Sequence, residues 1–341
     1  MIVRVQAFSR LHFGLMEICP GQPHCYGGVG MMISSPSMLV QGRTGSVTDL
    51  SSVQIEGDGY WAERARRVLE IWGRHHPDSP LPLESIRVVA PPHAHIGLGS
   101  GTQWACSIAG LLQIANGVQV RGAWVPSVAE TLFSSAESLA ANAGRGLRSH
   151  IGCEGFRRGG LIVDWGQHHS EKQAAGHGRT EVFSFPQSWR MVTRCDRSYL
   201  GESGGAEATM FERCSSFPNP SRSAMVRTIR EEMLPAFDAS DWVVASDAIG
   251  RYGEWAGKIF EPLQGGVYRS PAIAESIADL RRRGIRGVGQ SSWGPTVFAL
   301  AHDPEQAQWI ADLWRNRSSA EAAVEIAGVA PAAVYECDSS S

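Results

Sequence analysis

Residues 91–105, Pro91-Pro-His-Ala-His-Ile-Gly-Leu-Gly-Ser-Gly-Thr-Gln-Trp-Ala105, set three alternating glycines between a strand-like run and a run of small residues. Glycine at 97, 99 and 101 tolerates positive φ, so successive N–H groups can turn toward one point. A helix expected over Thr102–Ala115 adds its unpaired first-turn donors and the positive end of its dipole. Such a loop holds phosphate without a lysine. Read by themselves, the glycines also leave open a tight turn that binds nothing. No acidic residue follows at a suitable distance on a second strand, so this is not a dinucleotide fingerprint. No Gly-Lys-[Ser/Thr] occurs anywhere, which excludes the Walker-type loop.

The rest of the chain is consistent with a globular protein that works on small molecules. Its 341 residues suggest two domains, and 43% hydrophobic with 19% charged residues is ordinary for a folded protein. A net charge of −3 gives no global field for nucleic acid. Of the 31 basic residues only Lys172 and Lys258 are lysines. Arginine offers a planar fork that matches phosphate and carboxylate, although genome base composition is the favoured explanation of the bias. Cys19, Cys25, Cys106, Cys153, Cys195, Cys214 and Cys337 are odd in number and irregularly spaced, with no C-x-x-C pair. That argues against a disulfide framework and a thiolate zinc cage. With no signal-type leader and no window of about 18 apolar residues, the expectation is a cytoplasmic protein without membrane or nucleic-acid partners.

A strand is expected at 3–8, with 11–18 as its continuation or its partner, a third stretch at 30–33, and a helix at 60–75 with Ala62, Ala65, Val68, Leu69 and Trp72 on one stripe. A strand at 86–90 precedes the glycine loop. Asn116-Gly117 is expected to stop the following helix, and Gly144 to stop another over 128–143. Gly159–Gly166 reads as a turn into a buried strand. The polar residues 166–180 are the expected boundary between domains at 1–180 and 181–335. Beyond it come a strand at 190–195, helices at 220–236, 238–260, 271–283 and 304–316, a strand at 296–301 and a frayed tail. Strands and helices interleave without a regular βαβ period, so the fold class is α+β.

Three further elements resist explanation as turns alone. These are Ser9-Arg-Leu-His-Phe-Gly, Gly144-Arg-Gly-Leu-Arg-Ser-His-Ile-Gly, and a late loop, Gly287-Val-Gly-Gln-Ser-Ser-Trp-Gly-Pro-Thr296. Their order resembles the GHMP kinase superfamily, with its early polar strand, central P-x-x-x-G-L-G-S-S loop and late glycine loop. The chain is most similar to one branch, the beta-ribofuranosylaminobenzene 5'-phosphate synthases. Ser9–Leu15, Gly27-Gly-Val-Gly30, Gly144-Arg-Gly146, Ser149-x-Ile-Gly152, Gly159–Asp164 and Gly289–Thr296 carry that likeness, in order, from about residue 4 to 300. The resemblance implies a two-domain GHMP-kinase-like fold, with a ribosomal S5 domain 2-like amino-terminal domain and a ferredoxin-like carboxy-terminal one.

It also implies decarboxylating phosphoribosyl transfer from phosphoribosyl pyrophosphate to 4-aminobenzoate or a related aromatic acid, in tetrahydromethanopterin biosynthesis. A homodimer using Mg²⁺ is expected. The kinase pattern departs here at two positions: its second loop serine is Gly101, and its acceptor-side aspartate falls on Gly152. Loss of a metal ligand or base costs orders of magnitude in rate, so kinase chemistry is disfavoured. An ATP-dependent small-molecule kinase and a non-catalytic nucleotide-binding homologue stand as alternatives, with ATP as their ligand. The residues expected to act are Arg10, His12, Arg148 and Ser149. Expected to bind substrate or phosphate are Gly97, Leu98, Gly99, Ser100, Gly101, Thr102 and Arg145, with Gly289, Gln290, Ser291, Ser292 and Trp293 of the late loop. Thr102 and Glu137 are the expected Mg²⁺ ligands. Arg148 and His150 flank Ser149 where small residues are usual in the family, and Tyr26 stands where an acidic residue is usual. These departures bear on the acceptor rather than the phosphate site.

Overall fold

Strand β1 (Ile2–Leu15) runs antiparallel to strand β3 (Gly28–Val47), and the pair is long enough to serve two hydrophobic cores. Val3, Val5 and Ala7 enter one core with Val40, Trp72, Trp104 and Leu111. Leu11 and Phe13, further along the same strand, enter a second with Met31, Ile249, Tyr252 and Phe298. Register shifts at Phe8/Ser9 and His12/Gly14 re-aim the side chains between the two. Of the two readings open for 11–18, continuation of the strand at 3–8 holds, as far as Leu15. The computed structural model describes residues 1–18, 24–121, 129–146, 148–168, 180–196, 209, 213, 219–319 and 321–338.

The first sheet has the order β13-β1-β3-β5-β4, with β4 at Gln54–Glu56, β5 at Leu81–Ala90 and β13 at Val334–Asp338. Strand β6 (Leu161–Asp164) pairs with β3 and in turn with β8 (Thr180–Phe183), while β2 (His24–Cys25) pairs separately with β7 (Gln167–His168). Helices α1 (Gly59–His75) and α2 (Ser100–Arg121) bury their apolar residues in the core on this sheet. The α1 stripe buries Ala62, Ala65, Val68, Leu69 and Trp72, as its period requires.

Two local expectations fail for physical reasons, and two elements form where none was expected. Helix α2 passes through Asn116-Gly117 to Arg121, because burial of Trp104, Ile108, Leu111, Leu112 and Ala115 outweighs a weak stop signal. Residues 129–143 are two helices, α3 (Ala129–Leu132) and α4 (Ala136–Ala143). Ser135 caps the second by accepting the Ser138 N–H. Gly144, at φ 62°, closes α4 as expected. Helix α5 (Ile151–Arg158) occupies residues for which no element was expected; it buries Ile151, Cys153 and Phe156 and a Glu154–Arg157 pair at 2.7 Å. Strand β13, where no element was expected, pairs with β1 through Asp338 and lies in the first sheet, and residues 339–341 of the tail expected to fray lie outside the described residues.

The second sheet, order β10-β11-β9-β12, is antiparallel and comprises β9 (Arg190–Asp196), β10 (Val288–Gln290), β11 (Thr296–Ala301) and β12 (Ala322–Ala327). The helices here are α6 (Arg222–Thr228), α7 (Leu234–Asp238), α8 (Trp242–Lys258), α9 (Glu261–Gln264), α10 (Pro271–Arg282) and α11 (Pro304–Arg315). A single π turn, Ile229–Met233, joins α6 to α7. Ser270 and Asp303 cap α10 and α11, each followed by proline at the first helical position. The expected boundary at 166–180 falls largely outside the described residues.

The late loop closes onto the first glycine loop. Ser291 Oγ is buried, donates to the Gly97 carbonyl at 2.8 Å and accepts the His12 N–H at 3.1 Å. Thr296 Oγ1 donates to the Ile96 carbonyl at 2.5 Å, and the Ser292 N–H reaches the His12 carbonyl at 3.1 Å. Ser291→Ala strands the buried His12 N–H and the part-buried Gly97 carbonyl. It should lower unfolding free energy by about 1–3 kcal/mol, read from urea unfolding; an unchanged midpoint would contradict the clamp.

Candidate active site

The Gly97–Gly101 loop borders a cleft of about 530 Å³. Gly97 and Gly99 hold φ of 85° and 70°, as the turn requires. A Cβ at Gly97 would lie 2.5 Å from the Ser291 carbonyl oxygen, and one at Gly99 would lie 3.0 Å from Arg10 Nε. The Thr102 and Gln103 N–H groups donate to the Gly99 carbonyl, which starts α2 at the loop. The N–H groups of residues 97–101 donate to no other described residue. Their arrangement suits an anion.

Five arginines line the cleft: Arg10 from β1, Arg64 and Arg67 from α1, Arg145 and Arg148 from the segment after α4. No Asp or Glu is among its described lining residues. Arg64 lies over the Tyr60 ring, 4.7 Å from its centroid, and Arg67 meets Glu63 at 3.3 Å. Burial, and after it the neighbouring Arg64 charge, lower the pKa of Arg145 from its ordinary value. A cleft of one charge sign focuses field on whatever anion enters.

His12 also lines the cleft, and burial, followed by the Arg10 charge, lowers its pKa to about 3. It is a neutral imidazole at any ordinary pH. Ser149 is fixed from behind, its Oγ donating to Asp164 Oδ2 at 3.0 Å. The same carboxylate accepts the His150 N–H at 2.9 Å and the Gly166 N–H at 3.0 Å. Asp164 therefore anchors the start of α5 and does not face the cleft.

Most residues singled out in the sequence meet here. Arg10, His12, Arg145, Arg148 and Ser149 share the cleft with Gly97, Gly99, Ser100, Gly101 and Thr102, and with Ser292 and Trp293 of the late loop. Others stand elsewhere. The Leu98 side chain is buried in the second core. Gly289, Gln290 and Ser291 do not line the cleft. A Gly289 Cβ would meet the Phe298 ring at 3.0 Å, Gln290 accepts the Arg269 N–H, and Ser291 is spent on the loop clamp. Glu137 also lies outside the lining, so Thr102 has no carboxylate beside it there. No group of three His, Cys, Asp or Glu side chains suited to a metal occurs among the described residues. This donor set does not fit a Mg²⁺ ion held by the protein through carboxylates. Sequence reading missed Tyr60 and Arg64, one helical turn apart on α1; Tyr60 Oη lies 2.6 Å from Nε2 of His95, which also lines the cleft. The single signal was a polar edge beside the α1 stripe, which any solvated helix also shows.

Comparison with known proteins follows the same lines. Residues 233–319 match the family described as GHMP kinases C terminal. The chain is 26% identical over 311 residues to beta-ribofuranosylphenol 5'-phosphate synthase of Methanothermobacter thermautotrophicus, covering 86% of this chain and 87% of that one. It is 25% identical over 310 residues to the protein of the same name from Archaeoglobus fulgidus, covering 88% of each. Mevalonate diphosphate decarboxylase from Staphylococcus aureus superposes with a TM-score of 0.65 at 11% identity, over 98% of both chains. That likeness concerns the fold. No described helix is long and apolar enough to cross a membrane. The chain thus carries a segment that matches the GHMP kinase C-terminal family and is similar, over nearly nine-tenths of its length, to two beta-ribofuranosylphenol 5'-phosphate synthases.

Proposed function

We propose that the enzyme transfers the ribosyl 5-phosphate group of phosphoribosyl pyrophosphate to the ring carbon of a 4-substituted benzoate, releasing pyrophosphate and carbon dioxide. The observation that carries this reading is a cleft with five guanidinium groups and no described carboxylate, which is suited to a substrate with phosphates at both ends. The C1–O bond to pyrophosphate breaks and leaves an oxocarbenium-like ribose. The ring carbon bearing the carboxylate bonds to C1. The bond from that carbon to the carboxylate then breaks, its electron pair returns to the ring and carbon dioxide departs. No proton leaves the ring, so no strong base is called for, and a neutral His12 suits that requirement. Donors aimed at the leaving diphosphate stabilise the charge that develops there.

The acceptor ring fits the apolar side of the cleft. Leu15 and Trp293 line that side and pack with Ile18, Phe260 and Tyr26. The relatives are named for a ribofuranosylphenol product, which makes 4-hydroxybenzoate as good an acceptor candidate as 4-aminobenzoate. Phosphoryl transfer from ATP fits less well. A Cβ at Gly152, where the kinase pattern has its aspartate, would lie 2.8 Å from Thr102 Cγ2. The test is stoichiometry: carboxyl-labelled 4-hydroxybenzoate or 4-aminobenzoate with phosphoribosyl pyrophosphate should give equal amounts of carbon dioxide and pyrophosphate. ADP from ATP and an alcohol, with no carbon dioxide, would overturn the proposal.

Two expectations separate the roles. Arg148→Lys keeps the charge and loses the fork. If Arg148 holds the benzoate carboxylate, acceptor KM rises with donor KM nearly unchanged; if it holds the 5-phosphate, the donor KM rises. Steady-state kinetics with both constants at wild-type values would remove Arg148 from the site.

His12 gives a pH signature. Its folded pKa is depressed to about 3 from 6.5. The unfolded chain takes up a proton below about pH 6.5 that the folded chain refuses, so stability is full above that pH and falls toward pH 3. Between pH 7 and 4.5 the loss from this group should be about 2–3 kcal/mol, and His12→Gln should abolish it. Urea unfolding at both pH values decides, and parallel pH dependence of variant and wild type would contradict the burial argument.

A further inference from the structure

Arg64 belongs to none of the motifs in the chain, yet it converges with Arg145 on the last glycine of the phosphate loop. Arg64 Nη1 is 3.3 Å and Arg145 Nη2 3.6 Å from the point where a Gly101 Cβ would stand. Neither makes an ion pair with a described carboxylate, and Arg145 Nε is buried without a hydrogen-bond partner among the described residues. Two like charges converging in a partly buried place repel one another. Burial and the Arg64 charge already lower the pKa of Arg145, so an anion between the two relieves the arrangement.

We propose that Arg64 and Arg145 form a two-guanidinium clamp on the Gly97–Gly101 loop that takes the diphosphate end of the donor directly, with no metal ion held by the protein. The assignment rests on the transferase reading for its substrate but not for its geometry. Proteins that bring Mg²⁺ to a diphosphate commonly anchor it through one or two carboxylates, and no described lining residue supplies one. A diphosphate offers paired oxygens to each fork, and two forks neutralise the charge that Mg²⁺ would otherwise cover. The unpaired loop N–H groups complete the cradle.

Isothermal titration of the whole protein with inorganic pyrophosphate tests this, first in EDTA and then with Mg²⁺. Pyrophosphate should bind in EDTA, with added Mg²⁺ changing Kd by less than about threefold. Arg64→Gln and Arg145→Gln should each weaken binding at least about tenfold, or about 1.4 kcal/mol. Arg64→Lys should recover part of that loss. Arg315→Gln, on α11 beside Asp312, should bind as wild type. The double variant should lose less than the two single losses combined, since both forks hold one ligand. Binding only with Mg²⁺, or a folded Arg64→Gln protein with wild-type affinity, would overturn the clamp. Binding through both arginines without carbon dioxide release from any benzoate would overturn the transferase reading and leave the clamp standing. Carbon dioxide release with pyrophosphate binding indifferent to Arg64 would do the reverse.

Discussion

A single buried hydroxyl holds three distant parts of the chain in register. Ser291 Oγ donates to Gly97 and accepts from His12, joining the late loop to the phosphate loop and to strand β1. Thr296 repeats the connection at Ile96. Because a buried acceptor left unpaired is costly, the two glycine loops hold one relative position. That position keeps the N–H groups of residues 97–101 open to the cleft, Trp293 at its edge and His12 buried beneath. Gly97 and Gly294 are glycines for this reason: their backbones touch, and a Cβ on either would strike the other.

Electrostatics follow from the same closure. The chain carries a net charge of −3 overall, yet the described lining residues of its cleft include five cations and no acid. The acids stand one layer back. Asp164 is buried behind Ser149 and spends its oxygens on the start of α5, and Glu63 meets Arg67 on the exposed side of α1. Carboxylates therefore stand behind the walls while guanidinium groups face the cleft. Such a division suits displacement of a diphosphate better than transfer of a phosphoryl group to an alcohol, which would want a base and a metal at the surface of the cleft.

Local chemistry was legible in the sequence, and long-range packing was not. The glycine spacings at 97–101 and 287–294, the Arg-Leu-His-Phe run and the paired arginines after Gly144 signal themselves through residue type, and they meet in one cleft, the late loop through Ser292, Trp293 and Gly294 alone. Arg64 does not. Arg64, Arg66 and Arg67 look alike in the α1 pattern, and packing alone selects which of them faces the loop. Helix α5 escaped notice because Gly152 and Gly155 lower its propensity, and the Asp164 carboxylate that ties its start comes from a later strand. Strand β13 exists only through pairing with β1, more than three hundred residues earlier. Glu137 was chosen by sequence position, and α4 carries it outside the cleft lining.

The most direct measurement is the identity of the bond formed. Phosphoribosyl pyrophosphate labelled with ¹³C at C1, incubated with 4-hydroxybenzoate or 4-aminobenzoate labelled with ¹³C at the ring carbon bearing the carboxylate, yields a product that NMR can read. A one-bond carbon–carbon coupling between the two labels, with the carboxyl group recovered as carbon dioxide, is the predicted result. An anomeric carbon bonded to oxygen or nitrogen, with the carboxyl group retained, would contradict it.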